Sequence, residues 1–459
     1  MKNTRETAFQ IIYKVLEEGE YSHVVLGAAL KEAADAEKRD RAFVTRLTEG
    51  TLEHLITIDY ILNQVSKTPV KKMKPVIRTI LRMSVYQLLY MDSVPDSAVC
   101  NEAVKLVKAK GFQGLSGFAN GVLRNVARNR EQWQQESFYP DKCSMPGQYL
   151  SIRYSLPEWL CKYFADTYGM EQAEKIAQGS LRNPKTTIRC NTNKMTKEEL
   201  KKRLQEQGFE VEPGVYAKDA LYLSGYDTLE KIPEFMEGFF QIQDESSMLV
   251  AELAGLNVGD TVLDVCSAPG GKALHAANIL ENLGGGEVFS RDVSEKKTTL
   301  IQENADRLQA KNIIIQVADA TVNDASMIER ADVVIADLPC SGIGIMAKKP
   351  EIRYRMTEES QKELVKLQKK MLDVVHQYVK PGGILMYSTC TINKEENEYQ
   401  AREICEKYGF VPAMEETLVP KALRADIQEG GWIQLLPGIH ECDGFFIARL
   451  KKSIIKDKE

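Results

Sequence analysis

Two cysteines stand at the ends of apolar runs in this chain. Cys340 closes the run DVVIADLPC, and Cys390 closes the run GGILMYSTC. An ionised thiol is a nucleophile, and enzymes that use one lower its pKa below the usual value of about 8.5. Because the two runs predict neighbouring strands of one sheet, we expect both thiols and Asp337 at the same carboxyl edge. A buried strand-end cysteine is the ordinary alternative for either residue taken alone.

A second group of chemically informative residues follows the run TVLDV, which ends near Asp264. Glycines let the backbone approach a ligand closely, and the start of the next helix supplies unpaired N–H donors. The segment is neither a dinucleotide fingerprint nor a P-loop, so it favours a ligand with one positive centre and no phosphate. The candidate binding residues here are Cys266, Ser267, Ala268, Pro269, Gly270, Gly271 and Lys272.

Aspartates end the next two predicted strands as well. Asp292 lies 20 residues after Lys272, where an acidic side chain hydrogen-bonds ribose hydroxyls in nucleotide-binding sheets. Asp319 follows the third strand, where a carboxylate can accept a hydrogen bond from an adenine amino group. Each aspartate alone is more often a turn or cap residue than a ligand contact. Together with Asp264 they give three carboxylates at successive strand ends, which favours a nucleoside site.

The elements that position these residues are predicted from periodicity. From about residue 232 apolar strands alternate with helices, which predicts a doubly wound α/β sheet. Residues 4–129 repeat apolar positions at three- and four-residue steps and predict an all-α domain. A small α/β module is expected between them. The chain of 459 residues suits about three domains, predicted at 1–140, 150–230 and 232–452, with a linker at 131–150 where the helical period is lost.

Composition excludes several classes of protein. Hydrophobic residues make up 43% of the chain and charged residues 27%, as in ordinary globular proteins. No apolar run reaches the roughly 18 residues of a membrane span, and the first residues lack the features of a signal peptide. Nine cysteines without a C-x-x-C pair indicate reduced thiols, and five scattered histidines give no metal-ligand spacing. We therefore expect a cytoplasmic, metal-free protein, and a monomer.

Basic side chains are concentrated in one region, although the whole chain carries a net charge of −5. Between residues 61 and 130, twelve Lys and Arg residues stand against three acidic residues. Such a concentration favours a polyanionic partner for the N-terminal region. A solvated helical face explains the same charges equally well, so charge alone leaves the choice open.

Two sets of segments resemble known families. LYMDSVPDSAVCNEAVKLVK and FANGVLRN resemble the NusB family, a helical RNA-binding fold, over about residues 1–130. DVCSAPGGK, ADLPCSGIG, MYSTCTINKEENE, FQIQDESS and DGFFIARL resemble the RNA cytosine-C5 methyltransferases. The chain as a whole is similar to the RsmB group, also called Sun or Fmu. This resemblance implies a Rossmann-like class I methyltransferase domain that uses S-adenosylmethionine to methylate one cytosine of 16S, small-subunit ribosomal RNA.

The resemblance also implies residue roles. Cys390 matches the nucleophile that adds to carbon 6 of the cytosine, and Cys340 matches the cysteine associated with product release. Asp337 is implied to bind the cytosine edge near the methionine end of the cofactor, and Lys272 to hold Asp337 or its loop, unless it is only a helix-start cation. The implied cofactor contacts are residues 266–272, Asp292, Asp319 and Asp337. Ser267 and Leu338 depart from the family, which more often has alanine at these places.

Two other functions remain open from the sequence. A transfer RNA cytosine-C5 methyltransferase would share every catalytic motif, and only the helical N-terminal region favours ribosomal RNA, free or in an assembling particle. A non-enzymatic RNA-binding or antitermination protein is supported by the N-terminal resemblance alone. That second alternative does not explain Asp292, Asp319 or the two strand-end cysteines.

Overall fold

The computed structural model describes residues 3–454, so Met1 and Lys2 of the predicted helical domain lie outside the described residues. The chain divides into two compact units. The N-terminal unit comprises Met1–Arg182 and Met346–Arg355, and the C-terminal unit comprises Asn183–Ile345 and Met356–Glu459. The domain boundaries given above stay predictions, but the three predicted kinds of domain are all present.

The N-terminal unit is helical, as the periodicity predicts. Its first helix is capped by Asn3, whose side chain accepts a hydrogen bond from the Glu6 backbone N–H. Apolar side chains of most of its helices form one buried core. The helices are α1 Thr4–Glu17, α2 Ser22–Glu32, α3 Lys38–Glu53, α4 Leu55–Val65, α5 Pro75–Tyr90, α6 Asp96–Ala109, α7 Ser116–Arg128, α8 Arg130–Gln134, α9 Pro146–Tyr154, α10 Glu158–Tyr168 and α11 Met170–Gly179.

Close packing of α3 against α5 shows how tightly this core is built. Gly50 on α3 lies against Tyr86 on α5, so that a Cβ at position 50 would stand 2.0 Å from the tyrosine ring. His54 stacks on Tyr90 with ring centroids 4.1 Å apart. Burial lowers the His54 pKa to about 3, so this histidine is a neutral part of the core.

The predicted linker at 131–150 is wrong, because this segment is folded. Trp133 on α8 is 6% exposed, and its indole Nε1 donates to the Val126 backbone oxygen at 3.0 Å. One of the two prolines that suggested a linker, Pro146, stands at the start of α9. Proline is tolerated there because the first helical N–H has no partner within the helix.

The C-terminal unit begins with the predicted small α/β module. Its four-stranded sheet has the order β2-β3-β1-β4, and every pair in it is antiparallel. A separate apolar core lies beneath it. Its elements are β1 Thr186–Cys190, α12 Lys197–Glu206, β2 Glu210–Pro213, β3 Ala220–Ser224, α13 Pro233–Met236 and β4 Phe240–Ile242.

The rest of the C-terminal unit is the predicted doubly wound sheet. Seven of its eight strands follow the order β10-β12-β9-β8-β5-β6-β7, with β11 paired to β12. The strands from β5 to β9 are parallel, whereas β12 runs antiparallel to β9. The elements are α14 Glu245–Leu253, β5 Thr261–Asp264, α15 Gly271–Leu283, β6 Glu287–Asp292, α16 Glu295–Leu308, β7 Ile313–Val317, β8 Ala331–Asp337, α17 Ile352–Arg355 (in the N-terminal unit), α18 Glu358–Val375, β9 Val379–Thr389, α19 Glu398–Tyr408, β10 Phe410–Pro412, β11 Trp432–Leu435 and β12 Phe445–Lys452.

Two kinds of feature are absent from residues 3–454. No helix in this part of the chain is both long enough and apolar enough to cross a membrane. Nor do three His, Cys, Asp or Glu side chains of these residues group in a way that would hold a metal ion.

Candidate active site at the carboxyl edge of the large sheet

The two strand-end cysteines meet in the structure. Strands β8 and β9 are parallel neighbours, with Asp337 paired opposite Ser388. Cys340 and Cys390 follow these strands, and their Sγ atoms are 3.2 Å apart. Both side chains are only partly buried. The edge of the sheet therefore holds a thiol pair that a ligand can reach.

The environment of Cys340 keeps it protonated. Its hydrogen bond with Cys390, its burial and the negative charges of Glu396 and Asp337 all raise the Cys340 pKa well above the usual value. When two such groups interact strongly, their protons come off in separate steps. Near neutral pH Cys340 therefore stays a thiol.

Lys272 and Asp337 form an ion pair beside the thiols. Lys272 Nζ lies 2.6 Å from Asp337 Oδ2, and the Ser388 hydroxyl donates to Asp337 Oδ1 at 3.0 Å. Burial lowers the Lys272 pKa, but attraction to Asp337, their hydrogen bond and the charge of Asp264 outweigh it, so the Lys272 pKa is raised. The ammonium group also lies 5.3 Å from the centroid of the Phe445 ring. Asp337 is thus held in one orientation by partners on both oxygens, while its side chain remains 26% exposed.

The Asp264 carboxyl group, at the end of β5, is almost completely buried from solvent. It is 1% exposed, and its Oδ2 has no hydrogen-bond partner among residues 3–454. Burial raises the Asp264 pKa to about 7, against the opposing charge of Lys272. An acceptor of this kind, buried and partly unsatisfied, is unusual in a folded protein and marks a place where a ligand can donate.

The loop between β5 and α15 is tied to the next strand. The Ala268 backbone N–H donates to Asp292 Oδ2 at 3.0 Å, and the Ser267 N–H donates to the Arg291 oxygen at 2.8 Å. Gly270 has φ +101°, a left-handed conformation that strains any residue with a Cβ. Asp292 is itself 3% exposed. Residues 266–272, the predicted binding segment, therefore form one ordered turn. Lys272 is its last residue and lies on the side of the thiols.

Two residues of the predicted nucleoside site also carry structural roles. Asp319 is exposed, and its Oδ1 accepts from the Thr321 N–H and hydroxyl, both at 2.8 Å. These bonds lower the Asp319 pKa, and they are the turn contacts that the sequence left open as an alternative. Asp319 nevertheless lines a pocket of about 180 Å³ together with Val265. Burial raises the pKa of the Cys266 thiol, which favours a packing role for that residue.

The sequence did not single out the polar residues that surround the thiols. Glu396 is fully buried and bonded to the loops that follow β8 and β9. The motif KEENE contains it, but three glutamates stand there and nothing in their order shows which one is buried. Ser388 likewise gave no signal beyond its place next to a strand end.

Replacing Asp264 with asparagine is expected to stabilise the protein more at about pH 8 than at about pH 5. The folded-state pKa is about 7 against an ordinary 3.8, so the folded state binds the proton more tightly than the unfolded state. The stability that this group contributes is present below its unfolded pKa and is lost as pH rises towards 7. Asparagine does not ionise, so the gain at the higher pH amounts to a few kcal/mol at most.

Thermal unfolding of the wild type and of Asp264→Asn at both pH values measures this difference. Asp306→Asn, on the exposed side of α16, is the matched control and should change little at either pH. A gain of equal size at both pH values would contradict a raised Asp264 pKa.

Comparison with known proteins assigns families to three parts of the chain. Residues 252–451 match the family described as 16S rRNA methyltransferase RsmB/F. Residues 2–128 match the NusB family. Residues 156–228 match the ferredoxin-like domain of RsmF/B-like methyltransferases.

Relatives align with nearly the whole chain. The probable ribosomal RNA small subunit methyltransferase B of Bacillus subtilis is 36% identical over 98% of this chain and 100% of the relative. The ribosomal RNA small subunit methyltransferase B of Shewanella oneidensis is 30% identical over 98% of this chain and 99% of the relative. The solved structure of a methyltransferase homolog from Pyrococcus horikoshii is 27% identical, with a TM-score of 0.57, and the match covers 67% of this chain and 99% of that chain.

The order of the helical, ferredoxin-like and methyltransferase parts and the full-length identity agree with one another, and the chain belongs to the RsmB/F family of 16S rRNA methyltransferases.

Proposed function

We propose that this protein transfers a methyl group from S-adenosylmethionine to carbon 5 of a cytosine in 16S ribosomal RNA, through a covalent adduct with Cys390. The observation that carries the proposal is the thiol pair, 3.2 Å apart, beside the Lys272–Asp337 ion pair. Family membership argues against both alternatives that the sequence left open, a transfer RNA enzyme and a non-enzymatic antitermination protein.

The residues of the site fit S-adenosylmethionine. Asp264 and Asp337 bring negative charge to the carboxyl edge, which suits a sulfonium cation with an amino acid tail. Asp292 and Asp319 stand at the next two strand ends and have oxygens that suit ribose hydroxyls and an adenine amino group. The buried Asp264 Oδ2 has no hydrogen-bond partner among the described residues, so it can accept a hydrogen bond from the cofactor. When bound, the cofactor supplies an electrophilic methyl group.

The chemistry of cytosine requires a nucleophile from the protein. Carbon 5 belongs to an aromatic ring and is a poor nucleophile. When the Cys390 sulfur bonds to carbon 6, the 5,6 double bond is lost and carbon 5 becomes enamine-like and reactive. After methylation, carbon 5 carries a proton that a base must remove, and its removal restores the double bond as the sulfur–carbon bond breaks.

We assign these tasks to the residues as the family resemblance implies. Cys390 is the nucleophile, and the protonated Cys340 thiol at 3.2 Å stabilises its thiolate by donating a hydrogen bond. Cys340 then takes part in the elimination that releases the product. Asp337 presents a fixed carboxylate for the polar edge of the cytosine, because Lys272 and Ser388 hold both of its oxygens. Lys272 also brings a positive charge next to that carboxylate.

Ribosomal RNA is the proposed partner, and the basic surface of the N-terminal unit is proposed to contact it. Lys71, Lys72 and Lys74 lie in the connection between α4 and α5, where all three side chains are exposed. They have no ion-pair partner among residues 3–454. Arg78 and Arg82, which contributed to the same charge count, are instead paired with Glu17 and Asp59. The three lysines are therefore among the exposed, unpaired cations of the basic region and lie close together in sequence.

The division of labour between the thiols predicts the fate of two variants. Cys390→Ala should form no protein–RNA adduct and transfer no methyl group, because no other thiol can reach carbon 6 from the same position. Cys340→Ala should attack and methylate, then stall with RNA attached through Cys390. A denaturing gel of each variant with labelled RNA and S-adenosylmethionine shows the adduct as a slowly migrating band.

The double variant Cys340→Ala, Cys390→Ala is the control and should lose the band. Cys405→Ala, which changes a cysteine outside the site, should behave like the wild type. A band with Cys390→Ala but not with Cys340→Ala would reverse the two roles. Active variants without any band would exclude covalent catalysis.

The cofactor assignment predicts weaker binding on loss of Asp292. Asp292→Ala removes a carboxylate proposed to accept from ribose hydroxyls, so the affinity for S-adenosylmethionine should fall by about 1.5–3 kcal/mol. Isothermal titration measures it. Asp306→Ala, on the exposed side of the following helix, should bind normally, and an unchanged dissociation constant for Asp292→Ala would remove that residue from the site.

The proposed RNA surface predicts a change in salt dependence. A Lys71→Gln, Lys72→Gln, Lys74→Gln variant of the full chain should bind substrate RNA more weakly, and its salt slope should fall by about 0.7–0.9 for each phosphate that is no longer neutralised. Filter binding at several salt concentrations measures both. The control Lys31→Gln, Lys38→Gln, Arg39→Gln removes equal charge from exposed positions of the same unit. Equal slopes for the two triple variants would show that the lysines are only a solvated face.

A further inference from the structure

The thiols of Cys340 and Cys390 lie on separate loops, and the side chain of Glu396 is hydrogen-bonded to both loops. Cys340 belongs to the loop that follows β8, and Cys390 to the loop that follows β9. Glu396 lies beyond the second loop and is 0% exposed. Its Oε2 accepts from the Ser341 backbone N–H at 2.8 Å, and its Oε1 accepts from Asn393 Nδ2 at 3.0 Å. One carboxylate thus holds the residue next to Cys340 and a residue three positions after Cys390.

Further bonds make this connection rigid. Gln368 on α18 donates through Nε2 to the Pro339 oxygen at 2.9 Å and to Glu396 Oε2 at 3.2 Å. The Tyr387 hydroxyl donates to the Glu396 backbone oxygen. Glu396 is therefore fixed through both its side chain and its main chain.

The partners of the Glu396 carboxylate are all donors. A backbone N–H and two side-chain amide groups point at it, so each oxygen must accept. A glutamine at this position has one oxygen and one NH₂ group, and the NH₂ group would face at least one of these donors. Glu396→Gln therefore keeps the size of the side chain but breaks the connection on one side.

A direct link between the loops supports the carboxylate. The hydroxyl groups of Ser341 and Thr391 are 2.7 Å apart. Both are fully buried, and each adjoins one of the thiols in sequence. The glutamate and this hydroxyl pair are two of the polar connections between the loops, and the Gly344 backbone N–H, which donates to the Cys390 oxygen at 3.2 Å, is another.

We propose that Glu396 is a positioning residue that sets Cys340 beside Cys390 by holding both loops through its carboxylate. Its catalytic importance rests on the proposed function, but its effect on the distance between the thiols does not. A misplacement of about 1 Å at a reacting group costs about a hundredfold in rate, so the loss of this residue affects turnover more than cofactor binding.

The distance between the thiols is tested with diamide, an azo oxidant. Two neighbouring thiols lose two protons and two electrons to form a disulfide, and the azo bond takes these up to become a hydrazine. Wild-type full-length protein should form the Cys340–Cys390 disulfide rapidly, as identified by peptide mass mapping. Glu396→Gln should form it about tenfold to a hundredfold more slowly. A mere loss of negative charge would lower the thiol pKa and speed the reaction, so the direction of change separates the two effects.

Turnover is measured on the same proteins. Glu396→Gln should lower kcat for methyl transfer by a similar factor, while KM for S-adenosylmethionine stays near the wild-type value. Glu395→Gln is the matched control, because this neighbouring glutamate is exposed, and it should cross-link and turn over like the wild type. Thr391→Val, which keeps the side-chain shape but removes the hydroxyl link, should slow cross-linking to a smaller degree.

Each outcome decides the proposal. Wild-type cross-linking and kcat in Glu396→Gln would overturn it. If Glu396→Gln does not fold, as seen from a lost thermal unfolding transition, then Asn393→Leu decides, because it removes the donor to Glu396 Oε1 and leaves the carboxylate in place. Wild-type cross-linking by that variant would overturn the proposal. If the wild type cross-links rapidly but neither methylates RNA nor forms an adduct, the proposed function is wrong. The cross-linking rates still test whether Glu396 positions the thiols.

Discussion

The parallel pairing of β8 with β9 is the constraint on which the site depends. Because Asp337 lies opposite Ser388 in this register, the loops that follow the two strands start at the same level of the sheet. A shift of one residue would turn alternate side chains to the other face and would part Ser388 from Asp337. The pairing is secured from outside the site, since β9 is also bonded along its length to β12. The chemistry at the edge is therefore set by backbone hydrogen bonds deep in the sheet.

Charge at this edge is organised around one buried cation. Lys272 faces Asp264 and Asp337, and the thiols and Glu396 add further groups whose ionised forms are negative. Burial raises the Asp264 pKa to about 7, and the hydrogen bond with Cys390, burial and the nearby negative charges raise the Cys340 pKa as well. A bound sulfonium cation would relieve the same excess of negative charge.

The sequence predicts the fold and much of the site because those parts depend on local patterns. Apolar runs identify the strands, and the position of Asp264, Asp292 and Asp337 at strand ends follows from them directly. Burial and long-range contacts are not local, so the sequence did not separate Glu396 from its neighbouring glutamates. For the same reason it described residues 131–150 as a linker, although Trp133 packs there. Asp319 shows the remaining ambiguity, because one carboxylate can both close a turn and face a pocket.

The N-terminal unit is also less separable from the catalytic part than its sequence suggests. It includes Met346–Arg355, a segment that begins six residues after Cys340. Arg353 in this segment is 1% exposed and donates to the backbone oxygens of Tyr154 and Ser180, and Glu351 accepts from the Ser22 hydroxyl at 2.7 Å. Deleting the N-terminal helices would remove these partners and the surfaces that bury Arg353 and Glu351, so the segment would lose the contacts that order it. The helical unit is therefore needed to fold a stretch of the methyltransferase sequence itself.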